Sequence, residues 1–137
     1  MSLLSTKGVY GLSAMYELSL MQNDKPIQIK EIAKRADIPQ NYLEQLLVVL
    51  RRAGLVSSVR GAFGGYFLAK KAEDITVKDI LIALEGDLKV TQQSINNPVL
   101  DLFYKESNKS IEAIFEITLN ELQEYQNKIS EQLNYSI

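Results

Sequence analysis

The residues with usable chemistry fall in two short stretches. Gln40, Asn41, Glu44 and Gln45 open a helix-like segment, and Arg60 and Gly61 begin the run Arg60-Gly61-Ala62-Phe63-Gly64-Gly65-Tyr66. Gln or Asn can pair bidentately with adenine, and Glu can accept from cytosine N4. An arginine at the base of a glycine-rich turn can enter a DNA minor groove. Lys7, Tyr10, Arg51 and Arg52 add the cations and the hydroxyl that phosphate contacts require. The set reads as a nucleic-acid site, with a helix for base edges and a wing for the groove beside it.

Other chemistry is poorly supplied. The chain contains no Cys and no His. Cysteine nucleophiles and Ser–His or Cys–His pairs are therefore excluded. Haem held by His or Cys, and a thiol redox switch, are excluded on the same ground. Glu112 and Glu116 lie one helical turn apart and read as a solvated face. The glycines at 61–65 are followed by no Gly-Lys-Ser/Thr and open a strand, so they make no phosphate loop. No enzymatic activity, no cofactor and no metal site is expected.

The elements that position the two stretches follow from periodicity. Val9, Leu12, Tyr16 and Leu20 predict an amphipathic helix from about Thr6 to Met21, with Ser5 as N-cap and Asn23-Asp24-Lys25-Pro26 as its end. Ile29, Ile32, Ala33 and Ala36 make a short second helix. Asp37-Ile38-Pro39 is the turn, and Pro39 suits the first position of a third helix running to about Arg52. That helix buries Leu43, Leu46, Leu47 and Leu50, and Gly54 closes it. Two helices across so short a turn form a helix-turn-helix. Val56–Val59 and Tyr66–Leu68 then form a hairpin wing.

Thr76 to Asp79 resembles a capping box, with Val77, Ile80, Leu81 and Leu84 on the apolar face behind it. Residues 86–97 are polar and read as a loop. Pro98 opens a long helix to about Glu116 whose stripe is Leu100, Phe103, Tyr104, Ile111, Ile114 and Phe115. Thr118 to Glu121 is a capping box that starts a last helix, with Leu122, Tyr125, Ile129 and Leu133 on one face. The fold class is mainly α with a small β-hairpin wing: a winged helix-turn-helix plus a long C-terminal dimerisation helix. The division is 1–86 for the DNA-binding domain, 87–97 for the loop, and 98–137 for the dimerisation and C-terminal helices.

Charge agrees with this division. The net charge of −2 looks wrong for a DNA-binding protein, but residues 1–71 hold 10 Lys and Arg against 5 Asp and Glu. Residues 72–137 hold 5 against 12. The basic half coincides with the helix-turn-helix and wing, and the acidic half would be held away from phosphates. With no apolar run long enough to span a bilayer and no signal-peptide block, a cytoplasmic protein without membrane contact is expected.

Several ordered segments carry a family resemblance. They are Thr6-Lys7-Gly8-Val9-Tyr10-Gly11-Leu12, Tyr42-Leu43-Glu44-Gln45-Leu46, Leu50-Arg51, Ala53-Gly54-Leu55-Val56 and the 60–66 turn. Ile75-Thr76-Val77 to Leu84-Glu85-Gly86, and Ile117-Thr118-Leu119-Asn120-Glu121-Leu122, continue it. Together they resemble the Rrf-type bacterial transcription regulators over most of residues 3–122. The resemblance implies that Glu44 and Gln45 read bases, that Arg60 is the wing arginine, and that the helix after Pro98 pairs with its counterpart. Cluster-binding members of the family hold iron–sulfur through three cysteines in the segment after Gly86. This chain has none there, and so is closest in character to the cluster-free, CymR-like repressors.

The expected function is a sequence-specific transcriptional regulator, a repressor, that binds a pseudo-palindromic double-stranded DNA operator as a homodimer without an iron–sulfur cluster. A small-molecule or protein effector would dock near the 86–97 loop; constitutive repression is the rival. From another class, the alternative is a winged-helix scaffold that has lost DNA binding and regulates a protein partner.

Overall fold

The structure, a computed structural model, describes residues 2–21 and 25–135. Helix α1 spans Thr6–Leu20, α2 Ile29–Ala36 and α3 Gln40–Arg52. The hairpin is β1 (Val56–Val59) and β2 (Gly65–Leu68), antiparallel, with Val56 opposite Leu68 and Ser58 opposite Tyr66. A single 3-10 turn, Ala72–Asp74, leads to α4 (Val77–Glu85). Then come α5 (Pro98–Ile114), α6 (Leu119–Leu122) and α7 (Glu124–Tyr135). Asn23 and Asp24, expected to end the first helix, lie outside the described residues.

The main core gathers α1 to α4 under the wing. Leu43, Leu47 and Leu50 of α3 are fully enclosed, beside Met15, Ile32, Ile75 and Ile80. Burying each such side chain contributes about 1.5–3 kcal/mol. The turn between α2 and α3 places Asp37 in the left-handed region at φ 55° and drives Ile38 into the core. Asp tolerates that region better than most residues. Pro39 serves as the N-cap of α3, one position before the expected first helical residue, because its φ of −56° precedes an extended ψ of 130°.

Helix α1 differs from its expected face. Val9 and Leu20 are half-exposed, whereas Gly8, Gly11, Ala14, Met15, Leu18 and Ser19 are buried. The reason is a close approach to α4. A Cβ at Gly11 would meet Leu84 Cδ1, and one at Gly8 would meet Glu85 Oε1. The apolar stripe thus runs through small residues that hydrophobic periodicity does not register. Ser5 is the N-cap by position, but its hydroxyl makes no cap bond within α1. It donates instead to Glu85 Oε1 at 2.5 Å, which also accepts from Ser5 N–H at 2.9 Å and Gly8 N–H at 3.1 Å.

One carboxylate on α4 therefore satisfies free donors at the start of α1 and favours its positive dipole end. Glu85→Ala should cost about 1–3 kcal/mol, the expected loss when a charged acceptor leaves its donors. Urea unfolding should show this as a lower midpoint at constant slope. An unchanged midpoint would remove Glu85 as the clasp between these helices.

At the N-terminus of α4, Thr76 Oγ1 accepts from Asp79 N–H at 3.0 Å, and Asp79 Oδ2 accepts from Thr76 N–H at 3.1 Å, a complete capping box with Asp. Val77, Ile80, Leu81 and Leu84 are all buried as expected. At Thr118 only half a box forms. Its hydroxyl oxygen accepts from Glu121 N–H at 3.0 Å, but the Glu121 carboxylate accepts from that same hydroxyl rather than from the backbone.

The expected single last helix is two, α6 and α7, separated at Gln123. Helix α5 stops at Ile114, with Phe115 as its C-cap, so Glu116 lies beyond it. The chain then returns to the main body. Val77 N–H donates to Ile117 O at 2.8 Å, Leu119 N–H to Ile75 O at 2.9 Å, and Leu119 is wholly buried in the main core. The 86–97 segment is irregular, as expected, yet Leu88 is buried against Val77 and Leu81.

Candidate nucleic-acid interface

The recognition face of α3 is fixed by what it cannot expose. Leu43, Leu46, Leu47 and Leu50 take the core side, so Gln40, Asn41, Glu44 and Gln45 are left exposed on its first turns. Tyr42 is half-buried and meets Tyr10 of α1 edge to face, with ring centroids 5.7 Å apart. That contact ties the beginning of α3 to α1 and uses part of Tyr10. Lys7, one turn earlier on α1, is exposed.

The wing is placed by backbone contacts. Ile27 and Tyr66 exchange two backbone hydrogen bonds, each 2.8 Å, which attach the α1–α2 connector to β2. Gly65 makes this possible: a Cβ there would strike the carbonyl oxygen of Ile27, and its φ of 152° disfavours other residues. Gly64 is equally close to Val59 O. The turn closes with Gly64 N–H donating to Gly61 O at 3.0 Å, leaving Arg60, Gly61 and Ala62 exposed and Phe63 94% exposed at the tip.

Between the start of α2, the end of α3 and the wing lies a groove of about 400 Å³. Arg60, Gly61 and Arg51 line it, with Gln28, Lys30 and Ser58. Arg51 donates to Ser58 Oγ at 3.2 Å, so it also braces the wing against α3. Gln28 Nε2 donates to Ala62 O at 3.3 Å. Lys30 and Gln28 were invisible to motif reasoning. They come from the start of α2, and only the tertiary fold carries them to the wing.

The electrostatics favour an anionic partner here. Arg35 is engaged by Glu31 at 2.9 Å, and its guanidinium holds that carboxyl below the usual carboxylate range. Among the described residues no ion pair involves Lys7, Lys30, Arg52 or Arg60. These cations are left to solvent or to a ligand.

The long helix has a different surface. None of its residues is buried. Leu100, Phe103 and Ile114 are exposed, as are Val99 and Leu102, which the stripe had omitted. Tyr104 and Ile111 are half-buried. Phe115, assigned to the dimer face, is half-buried and packs on the small cluster of Val77, Leu81 and Leu88 in its own chain. It lies past the helix end, where the backbone turns back toward the body.

A helix-turn-helix followed by a β-hairpin, with polar side chains on the open face of the second helix, defines a winged-helix DNA-binding protein. The Rrf2 family profile, described as an iron-dependent transcriptional regulator, matches residues 4–135, and the chain belongs to that family. It is 47% identical over 85 residues to the HTH-type transcriptional regulator CymR of Bacillus subtilis, a match covering 62% of each chain. It is 37% identical over 126 residues to an HTH-type regulator of Synechocystis, covering 87% of this chain and 86% of that one.

Two solved structures extend the likeness. The CymR structure, of the global cysteine regulator of B. subtilis, superposes with a TM-score of 0.82 at 36% identity, over 91% of this chain and 98% of that one. That of T. potens IscR gives 0.77 at 41% identity, over 90% and 87%. The family's function is transcriptional regulation, not catalysis.

The family's iron dependence needs a donor set. Residues 86–97 contain no Cys or His, and among the described residues no group of three acidic ligands converges. An iron–sulfur cluster, which takes thiolate or imidazole ligands, does not fit this chain. No helix among the described residues is long and apolar enough to cross a membrane.

Proposed function

We propose that the chain is a homodimeric repressor that binds a pseudo-palindromic DNA operator. The observation that carries this reading is the shared exposure of Gln40, Asn41, Glu44 and Gln45 on α3 beside an unpaired Arg60 on the wing. Glu44 and Gln45 read base edges in the major groove, with Gln40 and Asn41 extending the contact. Arg60, with Gly61 allowing close approach, enters the adjoining minor groove. Lys7, Tyr10, Arg51 and Arg52 hold the phosphates, and Lys30 joins them from the start of α2.

The exposed apolar side of α5 supports dimerisation, since contiguous patches of this kind mark interfaces. A two-fold pair repeats the reading head on two half-sites. Repression follows from occupancy, because a dimer seated on a promoter excludes polymerase. Without thiolate or imidazole, any signal acts through binding of a molecule rather than through a cluster or disulfide. Purified protein should be colourless, and its operator affinity should not respond to iron and sulfide.

Gel-shift assays with genomic fragments, including the region upstream of the chain's own gene, test the reading. A fragment retained against excess competitor DNA supports it; equal binding to all fragments contradicts it. Lys7→Ala gives a finer check. It should lower affinity evenly across sequences and reduce the salt slope by about one, the signature of one lost phosphate contact. A change in sequence preference instead would move Lys7 out of the phosphate set.

A further inference from the structure

We propose that the cavity behind the wing binds a small amphipathic monocarboxylate, with an aromatic or medium-chain aliphatic body, and that its occupancy sets the position of the wing. The cavity measures about 740 Å³, within the range of about 300–1,000 Å³ usual for small-molecule sites. Leu18 and Met21 at the end of α1, Ile27 in the connector, and Val59 and Phe67 on the outer face of the hairpin give it apolar walls. Three exposed lysines, Lys25, Lys70 and Lys71, complete the lining, and no carboxylate does so.

The chemistry of the ligand follows from this lining. Apolar walls accept a hydrocarbon or aromatic body but do not favour a fully hydrated one. The lysines select an anionic head and repel a cationic one. Among the described residues no ion pair engages Lys70 or Lys71, so both ammonium groups are open to a ligand carboxylate. The 86–97 segment is otherwise engaged: Leu88 is buried and Val90 N–H donates to Asn108 Oδ1 at 2.7 Å.

Coupling to DNA rests on the role proposed above for the wing. Val59 immediately precedes Arg60, and Phe63, in the same turn, also borders the cavity. The paired backbone bonds between Ile27 and Tyr66 join the connector to the hairpin at its wall. A body inserted there touches both partners of that join. It can therefore change where Arg60 sits relative to α3, which a ligand does only by binding one wing position better than another.

The test uses the full-length chain with labelled methyl groups, titrated with decanoate, with decanol and decyltrimethylammonium as charge controls. Decanoate should shift the methyls of Leu18, Met21, Ile27 and Val59 saturably, leave Leu100 and Ile114 of α5 unmoved, and change operator affinity severalfold. Lys70→Gln with Lys71→Gln should weaken decanoate binding about tenfold, as expected for lost charge-assisted hydrogen bonds. Equal shifts with the cationic control would overturn the proposal. So would shifts confined to α5, or decanoate binding with unchanged operator affinity. Movement of the cavity methyls on adding operator DNA, with none on adding decanoate, would assign the lysines to phosphates and overturn it too. If decanoate binds as described but no operator is found, the ligand site stands and the DNA-binding reading fails.

Discussion

Phe103→Asp should turn the dimer into a monomer and lower operator affinity by about 10²–10⁴, the avidity lost when two linked reading heads become one. Phe103 is 60% exposed on α5, between Val99 at 75% and Ile114 at 69%. The helix has no buried residue, so its apolar side is unspent within its own chain. A charge at its centre would be desolvated on pairing, without a partner to compensate it. The winged-helix module should be unaffected, because its core draws on α1 to α4 and the 115–122 return, not on Phe103. Light scattering checks the mass, and circular dichroism checks that the fold persists. A full-length wild-type monomer at micromolar concentration would refute the dimer outright.

The second large effect is expected at the reading head. Glu44→Ala and Arg60→Ala should each reduce binding to a selected operator by about 1–3 kcal/mol, in different ways. Loss of Glu44 should relax preference at one position of each half-site, as its cytosine contact disappears. Loss of Arg60 should act mainly at A·T-rich, narrow-groove positions. The fold should tolerate both changes, since both side chains are exposed and neither makes an ion pair among the described residues. Selection of binding sites from a random pool, repeated for each variant, would display the two patterns. If neither variant changes affinity or preference, the reading head is misassigned, and the scaffold that binds a protein partner takes precedence.

The legibility of this fold in its sequence depended on side-chain size. Leu43, Leu46, Leu47 and Leu50 announce the core face of α3 because they are large and recur at helical spacing, and all four are buried. The α4 face and its capping box were equally plain. β1 could be placed at Val56–Val59 because β-branched residues bracket Ser57 and Ser58 before a glycine turn. The α1 face was misjudged because Gly8, Gly11 and Ala14 pack by being small, and periodicity rewards bulk. Nothing in Gln123 distinguishes a break between α6 and α7 from a helical residue; the half-formed box at Thr118 gives no warning either.

The candidate site divided along the same line. Its local parts, on α3 and in the wing turn, follow from consecutive residues, and the structure brings Arg51, Arg60 and Gly61 to one groove. Lys30 and Gln28 enter that groove through the Ile27–Tyr66 join, a contact between residues 39 positions apart with no local signature. The clasp from Glu85 to Ser5 and Gly8 is likewise a tertiary feature. Phe115 was placed on the dimer face by helical spacing, but the helix ends at Ile114 and the spacing no longer applies.

The central claim is that two copies of this chain read one operator through α3 and the wing. Fluorescence anisotropy of a labelled operator, titrated well above its dissociation constant, measures this directly. The curve should break at two chains per duplex, and an excess of unlabelled operator, but not of scrambled duplex, should reverse it. A break at one chain per duplex, or equal reversal by scrambled DNA, would contradict the account.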